Sequence, residues 1–250
     1  LEGDEDCEVS YKDKNGKYLM QIKKKTACIV TFLDGKDKQT LNTKNCYEIG
    51  KNIARFHIAS NKTKLYRKNS MSINNLGSLL KSINFKSNVI NSNLKIVLKK
   101  NLNEIKKNWP MNLPRGIIHG DLFIDNIFFK KNKFAGFIDF YFSCKDYLMY
   151  EIAICINALC FDKKKNKFIL NNLKTKNLIK GYESVRKISR NEKNSLNILC
   201  RGAALRYLLT RIYDYLNTPK TALIKIKNPK EYFQKLIIHN HLNNYQDYYK

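Results

Sequence analysis

The chain has 250 residues, 43% of them hydrophobic, and its 47 Lys and Arg against 21 Asp and Glu give a formal net charge of +26. This composition excludes a disordered chain, and the length allows a core that needs no disulfide or metal. The sequence has no apolar stretch near the ~20 residues of a membrane-spanning helix, and its acidic start is no signal peptide. Because the first residue is Leu1 and not Met, we expect the chain to begin inside a longer protein.

Cysteine and lysine usage indicates the compartment and the partners. Seven cysteines without a C-x-x-C pair predict free thiols in a cytoplasmic protein rather than a disulfide framework or a zinc site. Lysine is spread along the chain as on a solvated surface, without a zinc-finger spacing or an aromatic RNA-binding signature. We therefore expect no specific nucleic-acid partner and no membrane, while the positive field attracts anionic substrates such as ATP.

The first 110 residues are predicted to contain short strands followed by helices. Three strands are expected, at 8–12, 18–22 and 26–32, and Asn15–Gly16 is a strong turn signal between the first two. Apolar residues at spacings of three and four then predict helices, from about residue 43, at 76–80 and at 94–109.

From residue 115 the pattern changes to strands and loops. A buried strand at 116–118 leads into a loop at 120–125. Strands at 127–130 and 134–140 are joined by the polar turn 131–133 and form a predicted hairpin.

After Cys144 the chain is predicted to be helical. Three helix starts are marked by capping residues: Asp146, Ser189 with Glu192, and Asn228 with Pro229. The first of these helices is expected to reach Phe161, and the second Thr218.

The segment 119–126 (HGDLFIDN) and the triplet 138–140 (IDF) carry the predicted chemistry. The spacing H-x-D-L-x-x-x-N is that of the kinase catalytic loop, which predicts Asp121 as the base and Asn126 as a metal ligand. Asp139 follows an apolar strand, in the position of a magnesium-binding carboxylate. Because residues 126 and 139 are equidistant from the centre of the predicted turn, we expect them to face each other, with Cβ atoms roughly 4.5–5.5 Å apart. That separation lets an amide oxygen and a carboxylate share one Mg²⁺.

Each of these residues has a commoner structural explanation when it is taken alone. A loop Asp usually forms a turn or caps a helix, and His119 is predicted to be a structural hydrogen-bonding residue. The joint pattern favours phosphoryl transfer. Gly120 in place of the Arg of H-R-D, Tyr141 in place of the Gly of D-F-G, and the lack of an A-P-E signature predict a small alcohol acceptor rather than a protein.

The segment 116–129 resembles the aminoglycoside phosphotransferase and choline kinase-like superfamily. Three further blocks, at 138–161, 201–219 and 228–232, resemble the bacterial homoserine kinases of that superfamily, which use MgATP to phosphorylate the hydroxyl of L-homoserine in threonine biosynthesis. The likeness runs from about Gly16 to Tyr245.

The resemblance implies an α+β, protein-kinase-like two-lobed fold. Residues 1–35 would be the remnant of an incomplete N-terminal β lobe with its hinge, and 36–250 a mostly helical C-terminal catalytic lobe that contains the catalytic β-hairpin. ATP and Mg²⁺ would be the cofactors, with adenine held by backbone groups near Phe32 and Leu33. The phosphate-covering loop of the small lobe is missing from the sequence.

Four positions depart from the resemblance. Glu151 stands where the family usually has Asp, Leu159 and Tyr215 where it usually has Trp, and Ile124 where it usually has Pro. Each change is chemically tolerable, but the two lost aromatic rings are expected to loosen the acceptor pocket.

An acceptor with an ammonium and a carboxylate requires both an anion and a cation from the protein. The candidates for these roles are Asp146, Asn157, Arg201, Arg206, Arg211 and Asp214. Successive arginines five residues apart on one helix point about 140° from each other, so they cannot all line one pocket. Three alternatives stay open: a kinase for another amino alcohol or antibiotic, a truncated inactive remnant, and a basic nucleic-acid-binding protein.

Overall fold

The structure is a computed structural model that describes residues 9–64, 66–85, 93–219, 221–223 and 226–249. Cys7 and residue 8, the first of a predicted strand, lie outside these ranges. The described α-helices are α1 (Thr43–Ser60), α2 (Leu76–Ser82), α3 (Leu94–Lys107), α4 (Leu148–Leu159), α5 (Asn172–Glu183), α6 (Arg190–Asn217), α7 (Lys230–Asn240) and α8 (Gln246–Tyr249). The described strands are β1 (Met20–Ile22), β2 (Lys25–Ala27), β3 (Arg115–Ile118), β4 (Ile127–Lys130), β5 (Lys133–Phe137), β6 (Cys144–Tyr147), β7 (Phe161–Lys164) and β8 (Lys167–Leu170).

The core is helical and is centred on α4. Eleven of the twelve residues of this helix are buried, because its apolar side chains cover every face rather than a single stripe. The helix packs against α6, which in turn packs against α7, while α1 lies along α5. The fold is therefore α+β with a mainly helical body, as predicted. In the described part of the chain, every helix is too short or too polar to cross a lipid bilayer.

Helix boundaries follow the capping residues closely. The side chain of Asn42 accepts a hydrogen bond from the backbone of α1, and Ser189 and Glu192 form the expected capping box at the start of α6. At α7 the side chain of Asn228 accepts from the Lys230 N–H at 2.9 Å, although the helix begins one residue later than predicted, with Pro229 at the N-cap position.

The predicted turn at Asn15–Gly16 forms, since the Gly16 N–H donates to the Asp13 carbonyl at 3.0 Å. Among the described residues, however, the two strands predicted on either side of it do not pair with each other, and the hairpin β1–β2 follows with a turn of its own. Lys23 and Lys24 join β1 to β2, and both have positive φ, at 48° and 64°. Two consecutive lysines in the left-handed region give no recognisable turn signal in the sequence, so this turn was not predicted. The predicted strands 18–22 and 26–32 are longer than the observed β1 and β2. The Tyr11 N–H donates to the carbonyl of Ile29 at 2.9 Å, so the chain around Tyr11 pairs with the segment that follows β2.

The prediction of an all-helical region after Cys144 was wrong. Strand β6 pairs antiparallel with β3, and β7 and β8 form a hairpin. Asp146 lies inside β6 opposite Gly116, so α4 begins after Tyr147 without a side-chain cap. The strands were missed because lysines interrupt their apolar pattern, and β6 is recognisable only from its pairing with a strand about 30 residues away.

Helices α1 and α5 touch at two glycines. A Cβ built on Gly50 would lie 2.0 Å from the carbonyl oxygen of Leu178, and one built on Gly181 would lie 1.9 Å from the carbonyl oxygen of Tyr47. Any larger residue must push the two backbones apart.

Two histidines are buried and neutral in the core. His57 Nδ1 lies 2.8 Å from the Tyr182 hydroxyl, and His239 lies between the Tyr248 hydroxyl and the side-chain oxygen of Asn157. Burial, with nearby cationic side chains, lowers the pKa of each imidazole from 6.5 to about 3.

We predict that Gly181→Ala lowers the free energy of unfolding by about 1–3 kcal/mol or more, because the added methyl overlaps a backbone carbonyl. Gly77→Ala is the matched control, since its new Cβ would lie 3.1 Å from the flexible end of Lys106 and should be neutral or slightly stabilising. Urea unfolding of the two variants measures the difference, and equal stabilities would contradict the close packing of α1 on α5.

We predict that the protein loses stability as the pH falls from about 6.5 to 4. In this range the unfolded chain binds protons at His57, His239 and His119 that the folded protein excludes, and each such proton contributes up to ~1.4 kcal/mol per pH unit. Glu151, whose pKa burial raises to about 7, contributes in the opposite direction, so the three histidines outweigh it. Urea unfolding at several pH values measures the slope. In His57→Asn the side-chain amide takes the place of Nδ1 beside the Tyr182 hydroxyl, and the free energy of unfolding should depend less steeply on pH. An unchanged slope would show that His57 is already protonated in the folded protein.

Candidate active site

The loop between β3 and β4 carries the predicted base. It begins at Gly120, whose φ of 78° lies in the left-handed region and whose Cβ, if it had one, would be 2.9 Å from the carbonyl oxygen of Phe142. A glycine is therefore required at this point. Asp121 follows immediately and is partly buried. Burial raises the pKa of its carboxyl group, and the positive charge of Arg206 opposes that shift.

Asn126 is fixed to the same loop by its side chain. Its Nδ2 donates to the backbone carbonyl of Asp121 at 2.8 Å, and its side-chain oxygen makes no hydrogen bond to the described residues. This orientation leaves an amide oxygen, a good ligand for a hard cation, available beside the base.

Asp139 reaches the site by a different geometry from the predicted one. The turn between β4 and β5 has two residues, Lys131 and Asn132, both with positive φ, and Ala135 is an extra residue in the ladder. The pairing is thereby shifted by one residue. Asn126 lies opposite Ile138, whose N–H donates to the Asn126 carbonyl at 3.1 Å, and the predicted opposition of residues 126 and 139 was wrong.

Asp139 nevertheless lies beside Asn126. It directly follows Ile138 and adopts a left-handed conformation, with φ of 61° and ψ of 62°. Its side chain is exposed and lines a cavity of about 1250 Å³, which also contacts Val30, Phe56 and Arg67. Its carboxylate accepts a hydrogen bond from the Tyr141 N–H at 3.4 Å, and neither Asp121 nor Asn126 lines the cavity.

Both side chains suit a magnesium ion. An amide oxygen and a carboxylate are hard ligands, and Mg²⁺ usually takes its remaining ligands from phosphate and water. In the described part of the chain, no group of three or more His, Cys, Asp or Glu side chains could hold a metal. The pair Asn126 and Asp139 would hold an ion only together with a bound nucleotide.

His119 connects the loop to the hairpin. Its Nε2 lies 2.8 Å from the Ile138 carbonyl, and its Nδ1 accepts from the Asp121 N–H at 3.3 Å. Burial lowers the pKa of His119 to about 4, so the ring is neutral and makes both hydrogen bonds. This histidine positions Asp121 and the residue before Asp139.

Glu151 on α4 anchors the loop from below and was noted in the sequence only as a departure from Asp. Its carboxylate accepts the backbone N–H groups of both His119 and Gly120 and is fully buried. Burial raises the pKa of Glu151 to about 7, while the two N–H donors act in the opposite direction. The longer Glu side chain thus still reaches both donors.

The three candidate arginines of α6, Arg201, Arg206 and Arg211, have different surroundings. Arg201 pairs with Glu104 at 2.9 Å, and Arg211 pairs with Glu231 at 2.6 Å. Arg206 is 4% exposed and is the one whose guanidinium lies more than 4.0 Å from every described carboxylate. Its charge acts on Asp121 and Glu151.

The remaining acceptor candidates are dispersed. Asp146 accepts from the Asn69 side chain at 2.6 Å, and Asp214 is exposed on α6. Asn157 is fully buried, where its Nδ2 donates to two main-chain carbonyls and its Oδ1 bonds His239. All polar atoms of the Asn157 amide are thus engaged inside the core.

The predicted adenine segment lies beside the hairpin. Lys36 exchanges two backbone hydrogen bonds with Phe129 of β4, at 3.1 and 2.9 Å, and so holds the preceding chain next to the site. Phe32 is 89% exposed and Leu33 is partly buried. Neither of them lines the cavity next to Asp139.

Residues 13–186 match the model of the APH family, the phosphotransferase enzyme family. The homoserine kinase of Agrobacterium fabrum is 37% identical over 242 residues, which are 97% of this chain and 74% of that protein. The homoserine kinase of Gluconobacter oxydans is 40% identical over 232 residues, 92% of this chain and 72% of that protein.

Solved structures show the same fold at low sequence identity. Amicoumacin kinase hAmiN, in a complex with AMP-PNP and Ca²⁺, has a TM-score of 0.70 and 12% identity, covering 97% of this chain and 75% of that one. Choline kinase from Cryptosporidium parvum has a TM-score of 0.64 and 16% identity, covering 89% and 72%. With the family match over more than half of its length, the chain belongs to the APH family of phosphotransferase enzymes.

Proposed function

We propose that the protein transfers the γ-phosphoryl group of ATP to the hydroxyl of L-homoserine and forms O-phospho-L-homoserine, a step of threonine biosynthesis. The main support is that side-chain hydrogen bonds join the three predicted residues through their backbone. The Asn126 amide donates to the Asp121 carbonyl, and the His119 ring bonds the Asp121 N–H and the carbonyl of Ile138, the residue before Asp139. Relatives named homoserine kinase, 37–40% identical over 92–97% of the chain, support the acceptor. The free thiols of the six described cysteines agree with a cytoplasmic location.

The proposed mechanism uses positioning and charge. Asp121 orients the acceptor hydroxyl and receives its proton as the oxygen attacks the γ-phosphorus. Asn126 and Asp139 would hold Mg²⁺, which when bound neutralises charge on the phosphate oxygens. His119 and Glu151 keep the loop in a single arrangement through hydrogen bonds to its backbone.

Arg206 is the best supported of the six acceptor candidates. Its guanidinium lies 4.7 Å from the centroid of the Tyr207 ring and has no ion pair among the described residues, so the carboxylate of an amino-acid acceptor would supply the anionic partner. Arg201 and Arg211 already have such partners within the protein. Arg206 is also next in sequence to Tyr207, which contacts Asp121. We therefore assign the acceptor carboxylate to Arg206, with Asp146 and Asp214 as remaining candidates for the ammonium.

We predict that Asp121→Ala lowers kcat for homoserine phosphorylation by roughly 10²–10⁴, the usual contribution of a positioned acid–base group. ADP release with MgATP should be measured with homoserine, choline, ethanolamine and an aminoglycoside in parallel. Asp125→Ala is the control, because Asp125 lies in the same loop, is exposed and, among the described residues, has its one ion pair with Lys227 at 3.5 Å. Wild-type turnover in Asp121→Ala would contradict the assignment of Asp121 as the base. Preference for another acceptor would contradict the assignment of homoserine as the substrate.

We predict that Arg206→Gln raises the KM for homoserine by about 10–100-fold, the equivalent of one charged hydrogen-bonding partner. For an amino alcohol of similar length without the carboxylate, the KM should rise much less in Arg206→Gln. Arg201→Gln breaks the ion pair with Glu104 and should leave the KM for both acceptors nearly unchanged. If Arg206→Gln raises the KM for both acceptors equally while the KM for ATP stays constant, Arg206 does not bind the acceptor carboxylate.

A further inference from the structure

Tyr207 on α6 contacts the proposed base directly. Its hydroxyl lies 3.1 Å from Oδ1 of Asp121 and 3.1 Å from the backbone carbonyl of Gly120. A phenol has one proton to donate, and both neighbours are acceptors when the carboxylate is ionised. The proton is therefore shared between the side chain of Asp121 and the backbone that leads into it.

Packing, rather than these hydrogen bonds, sets the position of the Tyr207 ring. The residue is 6% exposed, and its ring makes an edge contact with Phe123, with centroids 4.9 Å apart. On the α7 side it packs on Tyr232 at 5.2 Å. A ring held on two sides by aromatic neighbours presents its hydroxyl at a fixed place, so the carboxylate adapts to the hydroxyl.

The consequence concerns the two oxygens of the base. The final torsion of an Asp side chain is broad, so a carboxylate without side-chain partners samples many orientations. With Oδ1 of Asp121 engaged by Tyr207, Oδ2 is the oxygen left to meet an acceptor hydroxyl. An orientation set before the substrate arrives lowers the entropic cost of the reactive arrangement.

We propose that Tyr207 is a positioning residue, whose hydroxyl holds Oδ1 of Asp121 so that Oδ2 faces the acceptor. This inference rests on the proposed phosphoryl transfer by Asp121, but it does not depend on which alcohol is the acceptor.

Tyr232 provides a matched control within the same aromatic pair. It is fully buried, its ring contacts that of Tyr207, and its hydroxyl has no hydrogen-bond partner in the described part of the chain. Tyr232→Phe and Tyr207→Phe therefore remove the same atom from similarly buried rings. Tyr232→Phe breaks no hydrogen bond to the described residues. Tyr207→Phe removes the contacts of the hydroxyl with Oδ1 of Asp121 and with the Gly120 carbonyl.

The first test is steady-state kinetics of the two variants with MgATP and the best acceptor of the wild type. We expect Tyr207→Phe to lower kcat about tenfold, the equivalent of one hydrogen bond to a charged group, with the KM for ATP unchanged. Tyr232→Phe should stay within twofold of the wild type. Equal losses in the two variants, or a kcat of Tyr207→Phe within twofold of the wild type, would overturn the proposal.

A double-mutant cycle separates positioning from a general structural effect. If Tyr207 acts through Asp121, then adding Tyr207→Phe to Asp121→Ala should cause no further loss of the residual rate. The same tenfold loss in both backgrounds would contradict this dependence.

Crystal structures keep the inference testable even if the wild type phosphorylates no alcohol, a result that would refute only the proposed function. The wild type should show one orientation of the Asp121 carboxylate, and Tyr207→Phe should show a rotated or a second one. An unchanged carboxylate in Tyr207→Phe would refute the positioning role independently of any activity.

Discussion

The site depends on one buried carboxylate with two backbone donors. Glu151 projects from α4, the most buried helix, and accepts the N–H groups of His119 and Gly120. A charge in this position is tolerable only while both donors face it, because an unsatisfied buried carboxylate would cost several kcal/mol. The loop that carries Asp121 is therefore tied to the centre of the helical core. The left-handed backbone at Gly120 then turns Asp121 outward.

Local signals in the sequence were sufficient for most helices and for strands β3, β4 and β5, and insufficient for β6, β7 and β8. The helix starts near Asn42, Ser189 and Asn228 were predictable because a cap and its helix are neighbours in sequence. Strand β6 exists because β3 pairs with it, and no local pattern encodes that pairing. The turn at Lys23–Lys24 gave no signal either, since lysine rarely adopts a positive φ.

The same distinction applies within the site. The motif spacing was sufficient to nominate Asp121, Asn126 and Asp139, since all three follow from the order of a loop and a hairpin. Tyr207 and the role of Glu151 were not predictable. They reach the loop from helices that are remote in sequence, and their value comes from tertiary approach. Residues that hold a catalytic group are in general harder to find than the group itself, because any buried polar side chain of the right reach can do so.

The proposed metal ligands Asn126 and Asp139 flank a hairpin whose register is irregular. Direct opposition of Asn126 and Asp139 would have placed both side chains on one regular ladder. The extra residue Ala135 instead pairs Asn126 with Ile138, and Asp139, the next residue, adopts a left-handed conformation in which its carboxylate accepts from the Tyr141 N–H. His119 spans the irregularity by bonding Ile138 and the Asp121 N–H. Two side chains therefore connect the proposed metal ligands to the segment of the proposed base. The neutral imidazole of His119 contacts the residue before Asp139, and the Asn126 amide donates directly to the Asp121 carbonyl.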